Sequence, residues 1–381
     1  MNPLLIFGAS SRAAAFSAIR AGFEPICGDL FADADLRAFA TVLDVPHYPH
    51  GLAAAAQKLP PLPWIYSGAL ENSPAEIDRL SERHTLWGNS SASLQHCRNP
   101  WFCRDILGQA GLPALALLSS SSPPPRDGSW LIKPLRSAAG RGIAVWNSQT
   151  PTLAEPHYFQ QLASGTSIAA AFVATSGSAE LLGVSEQIIG CPRLDAPLFG
   201  YCGSIFPWPA LQPSVEELIR RIGQVIGREC GLRGLFGVDL ISDGETAWLT
   251  EVNPRYTASM ELIEHDRQLP LLDWHRRACA GISTSISQAH LPVESRKNYS
   301  GKVVRYADRV TRAPDMAAWI PRSITLAELP RLADLPVAGT AIWPGQPVFT
   351  CLGTGPEPDK LLDDLVRRSL ELWSTFPELE N

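Results

Sequence analysis

Apolar residues run unbroken over Leu4–Phe7 and again over Trp64–Tyr66, and each run stops in small or polar residues. Short continuous runs of this kind predict strands buried on both faces, as in a parallel sheet. Between them, Arg12 to Ala21 predicts a helix closed by Gly22, and a second strand ends near Gly28-Asp29. The chain therefore opens as a βαβ unit, with Gly8-Ala9-Ser10-Ser11 aiming helix N-terminal amides at the ligand end of the sheet. A complete G-x-G-x-x-G is missing, since Gly8, Ser10 and Ala13 stand at those places. Past Tyr66, Ser67-Gly68-Ala69-Leu70-Glu71-Asn72 lies where an open α/β sheet puts ligand contacts, and Gly68 is equally well explained as loop punctuation.

Further along, the pattern predicts a helix over Ser91–Gly111 and a Ser/Pro connector over Ser119–Pro125. A strand from Ser129 to Pro134 carries Lys133 near its end, and the small-residue loop Ser137–Gly142 separates it from a strand over Ile143–Trp146. Such a loop lets backbone N–H groups approach phosphate oxygens, with Lys133 as the matching charge. The alternative is a plain hairpin loop beside a surface lysine, and the loop is not a Walker A. Strands follow over His157–Ala163 and Ile168–Ala174. Ser214 and Glu217 read as a capping box opening a helix whose apolar face is Leu218, Ile222, Val225 and Ile226. A helix is expected from near Ala258 toward Asp266, then short strands broken by prolines to about Cys351, then an amphipathic helix over Pro358–Trp373. Its apolar side reads as core packing.

The hairpin from Asp239 to Arg255 carries the clearest chemistry. Glu251 and Asn253 are two apart in a strand and so share a face. A three-residue turn of Asp243-Gly244-Glu245 pairs Asp239 with Leu249 and puts Asp239 on that face too, whereas a two-residue Asp-Gly turn would send it to the other. Three oxygen donors converging on one spot suit a hard cation held together with phosphate. An exposed polar edge is the plainer reading.

With 381 residues the chain suits two or three packed units, and a net charge of −6 without a long basic run argues against nucleic acid as a partner. Eight cysteines lie scattered, with neither C-x-x-C nor zinc-like spacing. No stretch reaches the ~20 apolar residues that span a bilayer, so no membrane partner is expected. Together with the absence of a signal core at Leu4–Phe7, this predicts a cytoplasmic protein with reduced thiols. His47, His50, His84 and His96 read as surface or packing residues, and Cys97 and Cys103 as buried thiols.

Taken in order, Lys133, the glycine loop, Gly165, Asp239, Glu251 and Asn253 resemble the ATP-grasp superfamily of ATP-dependent carboxylate ligases. The resemblance covers about residues 1–350, and its strongest part is Glu251-Val252-Asn253-Pro254-Arg255 with Asp239 upstream. It implies an α/β (α+β) ATP-grasp fold. A Rossmann-like unit would span residues 1–90, two ATP-clasping subdomains 91–150 and 151–285, and a β-rich segment with the closing helix 286–381. Ser67–Asn72 and Gly345-Gln346-Pro347-Val348-Phe349-Thr350 look like a subgroup of predicted carboligases linked with tetrahydromethanopterin- or methanofuran-dependent one-carbon metabolism.

By this resemblance ATP and magnesium, with manganese as a substitute, are the cofactors. Asp239, Glu251 and Asn253 would bind the metal. Lys133 would hold phosphates, and Ser137, Gly140 and Gly142 would belong to the loop folding over them. Gln160, Gln161 and Ala163 would occupy the hinge that reads adenine. Arg255 would stabilise the charge on the transferred phosphoryl group, and Lys133 with Arg255 would form the catalytic pair. Arg98 stands nearest to where the family often has a second lysine; Ser167 and the hinge glutamines also depart from the usual acids. The expected reaction joins a small-molecule carboxylate to an amine through an acyl phosphate, which needs alignment and charge neutralisation rather than a Ser-His-Asp signature. A bicarbonate-activating carboxylase and a non-catalytic nucleotide-binding or assembly protein are the alternatives, and the superfamily allows a homodimer. Arg193, Phe199, Tyr201, Phe206 and Trp208, within 190–209, either cover a substrate or pack as a loop; packing is the favoured reading.

Overall fold

The computed structural model describes residues 2–282 and 298–378. It contains a parallel five-stranded sheet, ordered Thr41–Val42, Phe23–Asp29, Asn2–Gly8, Pro63–Tyr66 and Thr85–Leu86. The apolar runs at Leu4–Phe7 and Trp64–Tyr66 are its buried centre, as their unbroken hydrophobicity requires. The Arg12–Arg20 helix covers one face and ends at Gly22, which takes the positive φ of +82° that suits glycine.

The expected helix over Ser91–Gly111 is two helices, Ser91–Cys97 and Pro100–Gln109, meeting at an elbow of Arg98 and Asn99. Pro100 cannot donate to the preceding turn, so it starts a new helix. Asn99 caps that helix through Oδ1, which accepts from Trp101 N at 3.1 Å and Phe102 N at 3.2 Å. Asn99→Ala is expected to cost about 1 kcal/mol in denaturant unfolding.

Four antiparallel strands form a second sheet in the order Leu117–Ser119, His157–Gln161, Asp127–Pro134 and Ala144–Asn147. The third sheet has eight strands and starts at its edge with Ala247–Asn253, then Gly234–Ser242, Thr166–Thr175 and Ser178–Ile189. It continues through Tyr201–Phe206, Tyr299–Tyr306 and Pro347–Gly355 to Leu332–Ala333. Strands of the proline-rich C-terminal stretch thus continue the sheet that carries the hairpin, instead of forming only short local pairs. Tyr201–Phe206 lies inside this sheet, with Phe206 and Trp208 buried, so the second half of the 190–209 segment is packed, while Pro192, Arg193, Pro197 and Leu198 in its first half are exposed.

The Pro213–Glu229 helix lies on this sheet through Val215, Ile219, Ile222 and Ile226. The expected capping box is not formed. Pro213 already occupies the first helical turn and Gln212 the cap position, so Ser214 lies within the helix. Pro358–Trp373 forms the predicted closing helix and buries Leu361, Leu365, Val366 and Trp373 against Tyr299–Tyr306 and Pro347–Gly355. Among the described residues no helix is long and apolar enough to cross a membrane.

Candidate active site

The hairpin brings Asp239, Glu251 and Asn253 onto one face, by a register other than the expected one. Its turn contains four residues, Asp243 to Thr246, because Ser242 pairs with Ala247. A regular ladder from that turn would set Asp239 opposite Thr250 and turn it away from Glu251. A bulge between Asp239 and Leu240 instead pairs Asp239 with Glu251, leaving Thr250 as the extra residue. The face is as expected; the turn length and the Leu249 pairing are corrected. Asn253 Nδ2 donates to Asp239 Oδ2 at 2.8 Å, and Gln187 Nε2 donates to Asp239 Oδ1 at 2.9 Å.

The bulge also serves Lys133. Thr250 Oγ1 donates to the Asp239 carbonyl at 3.0 Å, while the Thr250 carbonyl accepts from Lys133 Nζ at 3.2 Å. Gln160 Oε1 is the lysine's second acceptor at 3.1 Å. Lys133 is buried, so the plain surface-lysine reading fails.

Lys133, Gln160, Glu251, Arg98 and the loop residues Ser137 and Gly140 line one cleft between the four-stranded sheet and the hairpin. Gly140, at φ +75°, passes so close to the Phe199 carbonyl that an added Cβ would lie 1.9 Å from its oxygen. Gly142, at φ +76°, packs against Pro134 instead of lining the cleft. Gln161 is exposed and accepts from Ala116 N at 3.2 Å, and Ala163 lies past the end of its strand; neither lines the cleft.

Arg98 forms an ion pair with Glu251 Oε1 from the elbow between the two helices. Burial works to raise the Glu251 carboxyl, but Arg98 and Lys133 outweigh it and hold it below the usual carboxylate range. Asp239 goes the other way: burial and the Glu251 charge lift it to about 6, against the hydrogen bond from Asn253. Two carboxylates so close, one of them pushed up by the other, are short of positive charge.

Arg255 is positioned from the N-terminal unit. Its Nε donates to Glu71 Oε1 at 2.9 Å and its Nη2 to Asn253 Oδ1 at 3.1 Å. The neighbouring Asn72 donates to the Ser137 carbonyl at 3.0 Å. The Ser67–Asn72 segment therefore grips the site's own residues. The polarity of residues just after a buried strand and the subgroup resemblance both pointed to this segment, and its partners were not readable.

Residues 97–259 match the family model of the ATP-grasp domain. The chain carries an ATP-grasp domain. The matched stretch runs from Cys97 to Ser259, so it includes Arg98, Lys133, Asp239, Glu251, Asn253 and Arg255 and leaves Glu71 and Asn72 outside. The formate-dependent phosphoribosylglycinamide formyltransferase of Oleidesulfovibrio alaskensis is 27% identical over 175 residues, 43% of this chain and 44% of that protein. The match thus spans less than half of that curated relative. The structure of an L-amino acid ligase from Bacillus licheniformis superimposes with a TM-score of 0.71 at 14% identity, covering 100% of this chain and 99% of the other. N5-carboxyaminoimidazole ribonucleotide synthetase from Thermotoga maritima gives 0.65 at 13% identity, covering 97% and 98%. At these identities the structural likeness establishes the ATP-grasp fold.

Part of the N-terminus of the first helix, Arg12–Arg20, is already taken by a carboxylate of the chain itself. Asp29 takes that place: Oδ2 accepts from Ser11 N and from Ser11 Oγ at 2.6 Å, and Oδ1 accepts from Phe31 N and Ala32 N at 2.8 Å. The amides that the opening βαβ unit was expected to aim at a ligand include one already bound by the chain's own carboxylate.

Proposed function

We propose that the protein is an ATP-dependent carboxylate–amine ligase that forms an amide through an acyl phosphate. The observation that carries this reading is the joint placement of Asp239, Glu251 and Asn253 beside a cleft lined by Lys133, Arg98 and the glycine loop. Asp239, Glu251 and Asn253 would hold magnesium. Among the described residues no group of three or more His, Cys, Asp or Glu is arranged to hold a metal, and this set is two carboxylates and an amide. That donor set fits a magnesium ion, which keeps several ligands from water and phosphate and needs one or two carboxylates from the protein. The raised Asp239 supports the same fit, since a cation would relieve the crowding of two negative charges.

Bound magnesium would screen the negative charge of the phosphates. The chain's own groups do the rest. Lys133 supplies a buried positive charge fixed by Thr250 and Gln160. Ser137, Ala138 and Gly140 of the small-residue loop line the cleft, and Arg255, held by Glu71, would bring a guanidinium to a phosphoryl oxygen that gains charge. Gln160, which lines the cleft, would face the adenine end. The division of the chain near residues 90, 150 and 285 belongs to this reading.

The test is ADP release from magnesium ATP with pooled carboxylates and amines, read together with the mass of the condensed product. Formate belongs in the pool because the curated relatives are named as formate-dependent; one-carbon cofactor precursors and glutamate belong beside it. ADP with a new amide mass supports the ligase, and bicarbonate-dependent ADP without an amine would replace it with a carboxylase. Lys133→Ala is expected to weaken MgADP binding by about tenfold, measured by calorimetry, because one charge-assisted phosphate contact is removed.

A further inference from the structure

Arg98 occupies an unusual place for a phosphate-binding residue. Its guanidinium touches three separate parts of the molecule. Nη1 pairs with Glu251 Oε1 and lies 3.4 Å from the Val252 carbonyl, both on the hairpin. Nη2 donates to Asn72 Oδ1 at 3.3 Å, on the turn that follows the Pro63–Tyr66 strand. The same nitrogen donates to the Ser137 carbonyl at 3.3 Å, at the start of the glycine loop. The last three contacts are near the upper limit for a hydrogen bond, whereas the ion pair with Glu251 is close. Glu251 is therefore what mainly holds the arginine.

Glu251 is also one of the two carboxylates read above as magnesium ligands, and this inference rests on that reading. A guanidinium on one oxygen and a dication on the same carboxylate repel each other across a few ångströms. We propose that Arg98 is a displaceable counter-ion that competes with the divalent cation for Glu251 and passes to phosphate when metal and nucleotide bind together. Asn72 and the Ser137 carbonyl keep the guanidinium between its two positions. The fork of an arginine can hold a carboxylate, a side-chain amide and a backbone carbonyl at once, which a lysine's single ammonium does less well. Metal entry and the seating of the glycine loop then become one linked event, because the group leaving Glu251 is the group that touches Ser137.

This assigns opposite signs to two binding measurements. In Arg98→Gln, manganese ion alone, followed by the electron paramagnetic resonance of free Mn2+, is expected to bind about tenfold tighter than in wild type, because its competitor is gone. MgADP, followed by calorimetry, is expected to bind about tenfold more weakly, because a phosphate contact is gone. A structural role for Arg98 alone would weaken both. Arg98→Lys, which keeps the charge and perturbs folding least, should move both affinities in the same two directions by about threefold. Manganese affinity in both variants equal to or below wild type, with manganese still bound by wild type, overturns the exchange. Failure of wild type to bind either manganese or MgADP overturns the metal reading itself, and the exchange with it.

Discussion

Replacing Glu251 with alanine is expected to lower ADP formation at least ~1,000-fold on whichever carboxylate and amine prove active, equivalent to about 4 kcal/mol of lost transition-state stabilisation. Two losses combine. The proposed cation site is left with Asp239 and Asn253, and Arg98 loses its close partner. The fold should tolerate the change. The Glu251 side chain is 36% exposed, so no sealed cavity results, and Arg98 keeps Asn72 Oδ1 and the Ser137 carbonyl as acceptors. The measurements are turnover and thermal unfolding on one preparation. A variant that keeps more than a tenth of wild-type turnover would remove Glu251 from the reaction. Glu251→Gln separates charge from size, and it too is expected to be inactive.

Between pH 6.5 and 4 the protein is expected to lose about 3 kcal/mol of stability through one residue, His275. Burial pushes its imidazole down from 6.5 to about 4, and the hydrogen bond to the Trp87 carbonyl only partly opposes this. The ring is used at both nitrogens. Nδ1 accepts from Leu235 N at 2.8 Å, so Nε2 carries the proton and faces the Trp87 carbonyl at 3.0 Å. Protonating Nδ1 would turn an acceptor into a donor aimed at a backbone N–H. The unfolded chain therefore binds a proton below pH 6.5 that the folded chain refuses until about pH 4. Stability is complete above 6.5, falls through that window and stops falling below it. Urea unfolding at several pH values should show the slope in wild type, and the difference from His275→Gln should isolate it. Matching slopes in the two proteins would mean that another group carries the acid sensitivity.

Local patterns were the most readable part of the molecule. Leu4–Phe7, Gly22 and the Pro358–Trp373 helix were legible because burial, a positive φ and helical periodicity each leave a mark within a few residues. The helix break was legible in principle, since Asn99 followed by Pro100 is a cap and a first turn, yet the apolar pattern on either side masked it. The pairing of Glu71 with Arg255 was not legible, because no local rule relates residues so far apart in the chain. The same holds for Tyr299–Tyr306 and Pro347–Gly355, whose places in the large sheet depend on pairing with distant strands. Arg98 is an intermediate case. Its candidacy came from the resemblance, and its attachment to Glu251 only from the folded arrangement.

The bulge at Thr250 limits how related chains can vary. Side chains in a ladder alternate, so one residue gained or lost within either strand, between Asp239 and the turn or between the turn and Glu251, sends one acid to the far side of the sheet. Among chains that share this site, the turn itself is free to vary in length, whereas each strand segment between an acid and the turn should change in steps of two, or by one only where the bulge itself appears or disappears. A chain that lost the bulge and shortened to match could keep both acids together, yet it would lack the extra carbonyl that Lys133 uses here. In such a chain the lysine should be found leaning on a different acceptor, or replaced.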